Sequence, residues 1–280
     1  NSNNKFYNLT LNNAQNGLYL VGNSSFPDLN NEIGVVGAGC QAARNTISNM
    51  GGVTTFTSAY GIRCDGQSSI KIFNNDISNI RSNQATTAGI LLLTFAGTNE
   101  IYANKVGDIS NSGSTSSTSR AVGIELQNSS GTPTARVYNN VIFDIKSPFT
   151  GSATASRYAI GIFANNTVTA TISEIDNNSV YLSVASGTPT YSSTCFEIAN
   201  SGTAVHKVRG NIFVNAFPAQ GATAKHFCWV STAAAAIGGA GTVSNHNDLF
   251  ILNDQSTSGH VGRGSTTNYN TLANWQAITA

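Results

Sequence analysis

Residues 72–80 read IFNNDISNI, and this apolar-x-x-Asn-x-apolar pattern recurs along the chain. Strong copies are IYANKVGDI at 101–109, VYNNVIFDI at 137–145, IDNNSVYLS at 175–183 and VRGNIFVNA at 208–216. Together with three weaker copies, the anchoring asparagines are Asn8, Asn45, Asn75, Asn104, Asn140, Asn178, Asn211 and Asn247. Successive anchors lie 29 to 38 residues apart, and a repeat of this length is typical of a solenoid protein.

A second element, built around Gly and Ile, alternates with the first. Its copies are AYGIRC at 59–64, TAGILL at 87–92, AVGIEL at 121–126, AIGIFA at 159–164 and CFEI at 195–198. Each repeat therefore holds at least two short segments rich in β-forming residues, and no segment sustains the 3.6-residue period of a helix. The sequence predicts an all-β fold: one right-handed parallel β-helix of about eight coils that takes in residues 1–280.

Longer segments of variable sequence separate each Asn pattern from the next Gly-Ile element. Because they all occur at the same point of the repeat, we expect them to form a continuous rim of loops along one edge of the solenoid. They occupy residues 81–88, 110–120, 146–158, 184–194 and 217–226.

Aligning the repeats tests whether the coils stack, since equivalent residues of successive coils lie roughly 4.8 Å apart in a parallel β-helix. The position four before the anchor alternates in charge, and its occupants are Lys71, Glu100, Arg136, Glu174 and Lys207. The position two before it holds Phe73, Tyr102 and Tyr138, followed by the opposite charges Asp176 and Arg209. The position two after it is always apolar. Opposite charges on adjacent strands stabilise a sheet, so this pattern favours the proposed register.

The anchoring asparagines have a structural role in this interpretation. Asn tolerates the left-handed backbone conformation of tight turns, and its amide can both donate and accept a hydrogen bond. We expect the anchors to form a ladder in which each side-chain amide binds the amide of the next coil.

Composition excludes several classes of partner. Charged residues make up only 10% of the 280 residues and the net charge is +1, so the chain lacks a basic surface for nucleic acid. The longest apolar stretches are too short to span a bilayer.

The chain has four cysteines, Cys40, Cys64, Cys195 and Cys228. They form no CxxC motif, and their spacing does not match that of a zinc site. Their order suggests two disulfides between neighbouring coils, Cys40–Cys64 and Cys195–Cys228. Four buried thiols are the alternative, and the sequence leaves both open.

The phrases VYNNVIFDI, NNSVYL, GNIFVN, NHNDLF and TNYNTLANWQA, in this order, resemble the β-helix repeat regions of large secreted proteins of Bacteroidetes-type bacteria. The resemblance covers roughly residues 40–280. It implies a pectate-lyase-like parallel β-helix, export to the cell surface or medium, and a place within a longer secreted protein. Adhesion or glycan contact is the usual inference for such regions.

The residues themselves offer little catalytic chemistry. The aspartate signatures of polygalacturonase-type hydrolases are absent, and a lyase needs a base beside carboxylates that can hold Ca²⁺. The nearest candidates are Glu174 and Asp176 with Lys207 and Arg209 on the next coil, although the charge ladder also explains them as structural ion pairs. His206, His226, His246 and His260 lack metal-ligand spacing, and we expect most of them at the surface or in loops.

Two aromatic rows are candidate ligand-binding sites. Phe73, Tyr102 and Tyr138 could bind sugar rings, or they could form a structural ladder that shields the sheet. The second row, Phe143, Tyr181, Val214 and Phe250, lies three residues after its anchors. We expect this second row to pack under the long loops.

Together these features predict a non-catalytic extracellular or cell-surface module that acts in adhesion, surface structure or filament assembly and could bind polysaccharide or cell-surface glycan. The alternative is a carbohydrate-active enzyme, a polysaccharide lyase or glycoside hydrolase, that uses the loop-lined face. Because no capping helix is visible, we also expect the chain to continue into flanking domains or to associate end to end.

Overall fold

The chain forms an all-β parallel solenoid whose helical content is negligible, as the sequence predicts. The computed structural model describes residues 2–35, 44–52, 58–83, 86–112, 119–129, 131–147, 157–166, 171–183, 191–199, 204–218, 224–232, 243–252 and 259–279.

Three long sheets run the length of the solenoid, and successive coils contribute successive strands to each. Sheet 1 contains β1 (Lys5–Phe6), β5 (Glu32–Ile33), β9 (Lys71–Phe73), β12 (Thr98–Tyr102), β15 (Thr134–Tyr138), β18 (Ile172–Asp176), β21 (Val205–Arg209) and β24 (Val243–Asn245). Sheet 2 contains β2 (Thr10–Asn12), β6 (Asn45–Gly51), β10 (Asn75–Ser82), β13 (Lys105–Asn111), β16 (Val141–Lys146), β19 (Ser179–Leu182), β22 (Ile212–Asn215) and β25 (Asp248–Ile251).

Sheet 3 contains the Gly-Ile elements. Its strands are β3 (Asn16–Val21), β7 (Ala59–Asp65), β11 (Thr86–Leu93), β14 (Arg120–Gln127), β17 (Arg157–Ala164), β20 (Ser192–Ile198), β23 (His226–Ser231), β26 (Gly259–Gly264) and β27 (Thr267–Tyr269). A small fourth sheet pairs β4 (Asp28–Leu29) with β8 (Gln67–Ser68), and the chain ends in helix α1 (Leu272–Thr279).

Each coil passes through sheets 1, 2 and 3 in turn, and its strands pair in parallel with those of the adjacent coils. Among the strands in the described part of the chain, only β27 runs antiparallel, against β26. Sheets 1 and 2 each contain eight strands, one for each predicted repeat, and about five turns form the regular part of the solenoid. The outer turns are less regular, because β1 and β5 have two residues each and β24 has three.

The core lies between the three sheets and consists of columns of aliphatic side chains. The predicted apolar position of sheet 2 is buried from Ile47 to Phe213. Its occupants Ile47, Ile77, Val106, Ile142, Val180 and Phe213 pair in register from coil to coil. The predicted stacking register is therefore confirmed.

The asparagine ladder is confirmed from Asn45 to Asn247. Each side-chain amide donates to the Oδ1 atom of the next anchor at 2.8 to 3.0 Å. Asn8 does not belong to it, because Thr10 pairs with Thr46 and Leu9 therefore occupies the ladder position. The backbone N–H of Leu9 donates to Oδ1 of Asn45 at 2.9 Å. Asn8 itself has a φ of 55° and forms the turn before the ladder.

In sheet 3, the cysteines of the later coils follow a column of glycines. A Cβ at Gly161 would lie 2.4 Å from Val180 and 2.5 Å from the Cys195 carbonyl oxygen, so sheets 2 and 3 approach closely here. Cys195 and Cys228 lie opposite each other on adjacent coils, as the sequence predicts, because the residues on either side of them pair in register. They are free buried thiols, as is Cys64, and the Cys228 Sγ donates to the Phe250 carbonyl at 3.1 Å. Cys40 lies outside the described residues.

Helix α1 closes one end of the core, and the sequence did not predict it. Thr271 begins it, with its Oγ1 accepting a hydrogen bond from the backbone N–H of Asn274 at 3.2 Å. Trp275 is buried, and its ring centroid lies 5.5 Å from that of Trp229. Eight residues with a single buried anchor are too few to show a helical period.

Candidate functional site

The outer face of sheet 1 bears a single column of alternating charges. It begins at Lys5 and Glu32, whose Nζ and Oε2 atoms are 3.1 Å apart, and Glu32 pairs in register with Lys71. The predicted residues Lys71, Glu100, Arg136, Glu174 and Lys207 follow on successive coils. The column is thus two members longer than the sequence indicates. Each charge lies beside the opposite charge of its neighbours.

The four weak catalytic candidates lie together within this surface. Glu174 accepts from Arg136 Nε and from Lys207 Nζ, both at 2.9 Å. Asp176 accepts two hydrogen bonds from Arg209, from Nε at 2.9 Å and from Nη2 at 2.7 Å. Every one of these carboxylate oxygens has a cationic partner.

Electrostatics reinforces this pairing. The hydrogen bond from Lys207 is the largest cause that holds the pKa of Glu174 below its usual range. Its bond to Asp176 raises the pKa of Arg209 above the ordinary value for arginine. Glu174 therefore stays ionised at neutral pH, which suits an ion pair and not a general acid.

The rings of Phe73, Tyr102 and Tyr138 stack on one another along the solenoid. Their centroids are 5.0 and 4.8 Å apart and the planes are nearly parallel, at 5° and 3°. Tyr102 therefore has both ring faces covered by its neighbours. The Tyr138 hydroxyl donates to Glu100 Oε1 at 3.3 Å, and burial is the largest cause that raises the pKa of Tyr138 to about 12. This stack offers ring edges and hydroxyl groups to a ligand.

Sheet 3 holds two buried glutamates that sequence reasoning missed. Glu125 and Glu197 occupy one column on either side of Phe163 and are 1% and 4% exposed. Arg120 donates from Nη2 to Glu125 Oε1 at 2.5 Å, and its guanidinium carbon lies 4.8 Å from the Phe163 ring centroid. The signal was present in AVGIEL and CFEI, where Glu interrupts an otherwise apolar strand.

The expectation that most histidines are at the surface is wrong. His206, His226 and His260 are at most 5% exposed, and of the four histidines, all of which lie in the described ranges, only His246 is exposed. His226 Nδ1 lies 2.9 Å from the Ser193 hydroxyl, which also accepts from Asn215 Nδ2 at 3.0 Å. These polar groups lie at a corner between sheets 2 and 3, away from solvent. His226 Nε2 is buried without a hydrogen-bond partner, and the burial of all three side chains makes them inaccessible to a polymer.

The second aromatic row is more exposed than the sequence predicts. Tyr181 is 49% exposed and Phe250 is 51% exposed, so the loops do not cover these two residues. Val141 and Ile212, in the adjacent column of sheet 2, are exposed to a similar extent. The central parts of the predicted rim loops lie outside the described residues.

Within the described part of the chain, His, Cys, Asp and Glu side chains form no group of three or more that could hold a metal ion. No described helix has the length and apolar character needed to cross a membrane. No family model, curated protein or solved structure matches this sequence.

Proposed function

We propose that this chain is a non-catalytic extracellular or cell-surface module that acts in adhesion or surface structure and contacts glycans. The observation that carries this proposal is the pairing of Glu174 and Asp176. Both carboxylates are held by cations of the neighbouring coils at 2.7 to 2.9 Å, which leaves neither as a proton donor for a bound substrate.

Two sequence features support an extracellular location of the protein. The low charge content and the Asn, Ser and Thr-rich turns suit a rigid solenoid that presents a long surface. The resemblance of the repeats to secreted β-helix regions of Bacteroidetes-type bacteria favours export. End-to-end assembly has less support, because β27 and α1 occupy one end of sheet 3 and the core.

A carbohydrate-active enzyme is the second candidate, and the glutamates of sheet 3 favour it. Glu125 and Glu197 lie two coils apart, so their Cα atoms are roughly 10 Å from each other. Inverting glycosidases place two carboxyl groups about 6.5–9.5 Å apart. Burial of both side chains argues against this use.

The experiment that tests the proposal is incubation with a panel of plant, algal and microbial polysaccharides, with and without Ca²⁺. Retention on each polymer and release of shortened products are measured separately. We expect retention on at least one polymer and no products. Products that disappear in Glu125→Gln or Glu197→Gln would establish the enzyme instead, and products that disappear in Glu174→Gln would show that the charge column is catalytic.

A further inference from the structure

The outer face of sheet 2 changes character halfway along the solenoid. In earlier coils, the column that contains Phe143 is occupied by Ser48, Ser78 and Gly107. The later coils carry large apolar side chains instead. We name this group the sheet 2 row, and its members are Val141, Phe143, Tyr181, Ile212, Val214 and Phe250.

The register makes the row straight and continuous. Phe143 pairs with Tyr181, Tyr181 with Val214, and Val214 with Phe250, so the column passes through four consecutive coils. Val141 and Ile212 flank it in the next column, separated by Ser179. Four of the six side chains are 47% to 51% exposed. Exposed apolar clusters of this kind mark binding surfaces in soluble proteins.

The row is much smaller than the contact surface of a stable protein complex. Four coils at about 4.8 Å and two columns about 7 Å apart give a strip about 20 Å long and about 10 Å wide with its side chains, on the order of 200 Å². Stable protein complexes bury about 800 Å² on each partner. The row instead matches a narrow, linear ligand that lies along the solenoid axis.

The chemistry of the row selects the ligand class. Its six members are uncharged, and the charged pair at its near end, Lys105 and Asp76, is already joined at 3.4 Å. One face of a pyranose ring consists of C–H groups that pack against aromatic rings, while its hydroxyl groups need polar partners at the side. Ser179 and Asp248 supply such partners in the flanking column.

We propose that the sheet 2 row binds a neutral, extended polysaccharide whose chain runs along the solenoid axis, with sugar rings packed on Tyr181 and Phe250. This inference rests on the proposed non-catalytic, glycan-contacting function and names the site and the ligand class. The row also differs from the stack of Phe73, Tyr102 and Tyr138, whose central ring has no free face.

Affinity electrophoresis through gels that contain neutral soluble polysaccharides, such as xyloglucan, galactomannan and a mixed-linkage β-glucan, tests the site. The variants are Tyr181→Ala, Phe250→Ala and their combination. The matched control is Tyr7→Ala, since Tyr7 is 54% exposed but lies far from the row on the first coil. Circular dichroism and thermal unfolding check that all variants fold as the unaltered chain does.

We expect retardation of the unaltered chain by at least one neutral polymer, at least tenfold weaker binding of the double variant, and no change for Tyr7→Ala. Unchanged binding of the folded double variant would overturn the site, and so would the absence of retardation by every neutral polymer. A dimer in sedimentation that becomes monomeric in the double variant would assign the row to a second copy of the chain. Release of shortened products is measured in parallel, and it would contradict the non-catalytic function without moving the binding site.

Discussion

At the scale of single residues, the ladder asparagines are the most constrained polar groups in the solenoid. Asn140 Oδ1 accepts from both the backbone N–H and the Nδ2 of Asn104, at 3.1 and 3.0 Å. Its Nδ2 donates to Asn178 Oδ1 and to the Ile101 carbonyl, each at 2.9 Å. The Asn amide places an acceptor oxygen and an NH₂ group with two donors on separate atoms of one short side chain, and this ladder uses both, which explains the recurrence of Asn at this position.

We therefore predict that Asn140→Ala lowers the free energy of unfolding by about 2–4 kcal/mol, because it leaves buried backbone and amide groups of two neighbouring coils unpaired. Urea denaturation measures the change. The control is Asn8→Gly, which removes an exposed asparagine outside the ladder while keeping its positive φ, and we expect it to cost less than about 1 kcal/mol. Equal effects of the two variants would contradict the ladder as a source of stability.

Sequence reasoning identified the ladder but misplaced its first member by one residue. Asn8 and the true ladder position, Leu9, are adjacent in a degenerate copy, KFYNLTLNN, which has no asparagine at the ladder position itself. The same shift hid Lys5 from the charge column, because Lys5 lies four residues before Leu9. Glu32 was hidden because residues 34–44 separate β5 from β6 in its coil.

A second prediction at this scale concerns the stability of the fold at acidic pH. Burial lowers the pKa of His206 to about 4, whereas the unfolded residue titrates near 6.5. Between these values the unfolded chain binds a proton that the folded chain does not. His206 therefore makes the free energy of unfolding fall as the pH decreases, by up to about 1.4 kcal/mol per pH unit.

Urea denaturation between pH 7 and 4.5 measures this slope. We expect His206→Leu to have a shallower slope than the unaltered chain, although His226, whose pKa burial also lowers to about 4, still contributes. His246→Gln changes an exposed histidine and serves as the control. A slope that His206→Leu leaves unchanged would show that His206 does not govern the acid response.

At the scale of elements, the charge column couples the strands of sheet 1. Glu174 has cations on both sides, and its side chain is 15% exposed whereas those of Arg136 and Lys207 are 47% and 36% exposed. Solvent screens such partly exposed pairs, so each contributes modestly. The alternation disfavours a strand that pairs out of register, since a shifted strand would lose these opposite-charge pairs.

Reversal of one charge exposes this effect. We predict that Glu174→Lys lowers the free energy of unfolding by about 1–3 kcal/mol in low salt, because it removes two opposite-charge contacts and creates two like-charge contacts. Salt at 1 M should recover part of the loss by screening. Glu174→Gln, which removes the attraction without repulsion, should cost less and depend less on salt. The same salt dependence for both variants would contradict the repulsion.

The elements themselves were largely readable from the sequence, because the recurring Asn pattern and the Gly-Ile elements place most strands of sheets 2 and 3. The chemistry of the outer faces was less readable. Burial of an outward-facing residue depends on what covers it, so Glu125 looked like an ordinary polar position and Tyr181 like a covered one. Helix α1 escaped prediction because its stability comes from one buried side chain rather than a periodic face.

At the scale of the whole molecule, the solenoid has two different ends. At the N-terminal end the core residues Phe6, Leu11, Leu18 and Leu20 are only partly buried. At the other end, β27 pairs with β26 and α1 packs across the core, so Trp275, Trp229 and Tyr269 form an aromatic cluster. A head-to-tail contact between two copies would have to displace these elements.

Removal of the Trp275 side chain should open the covered end. A Cβ at Gly262 would lie 2.2 Å from the Trp275 ring, which shows how closely the ring packs on β26. We predict that Trp275→Ala costs about 3–5 kcal/mol in the unfolding of this end, because α1 and β27, whose Tyr269 packs on Trp275, lose their anchor. Release of β27 would then expose the edge of β26 and promote association of copies. Leu272→Ala, at a 42% exposed position of the same helix, is the control. Thermal unfolding and sedimentation velocity measure both effects. A Trp275→Ala variant that is destabilised yet stays monomeric at high concentration would mean that α1 stabilises the core without protecting the edge, whereas association specific to this variant would identify α1 as the element that keeps copies from stacking.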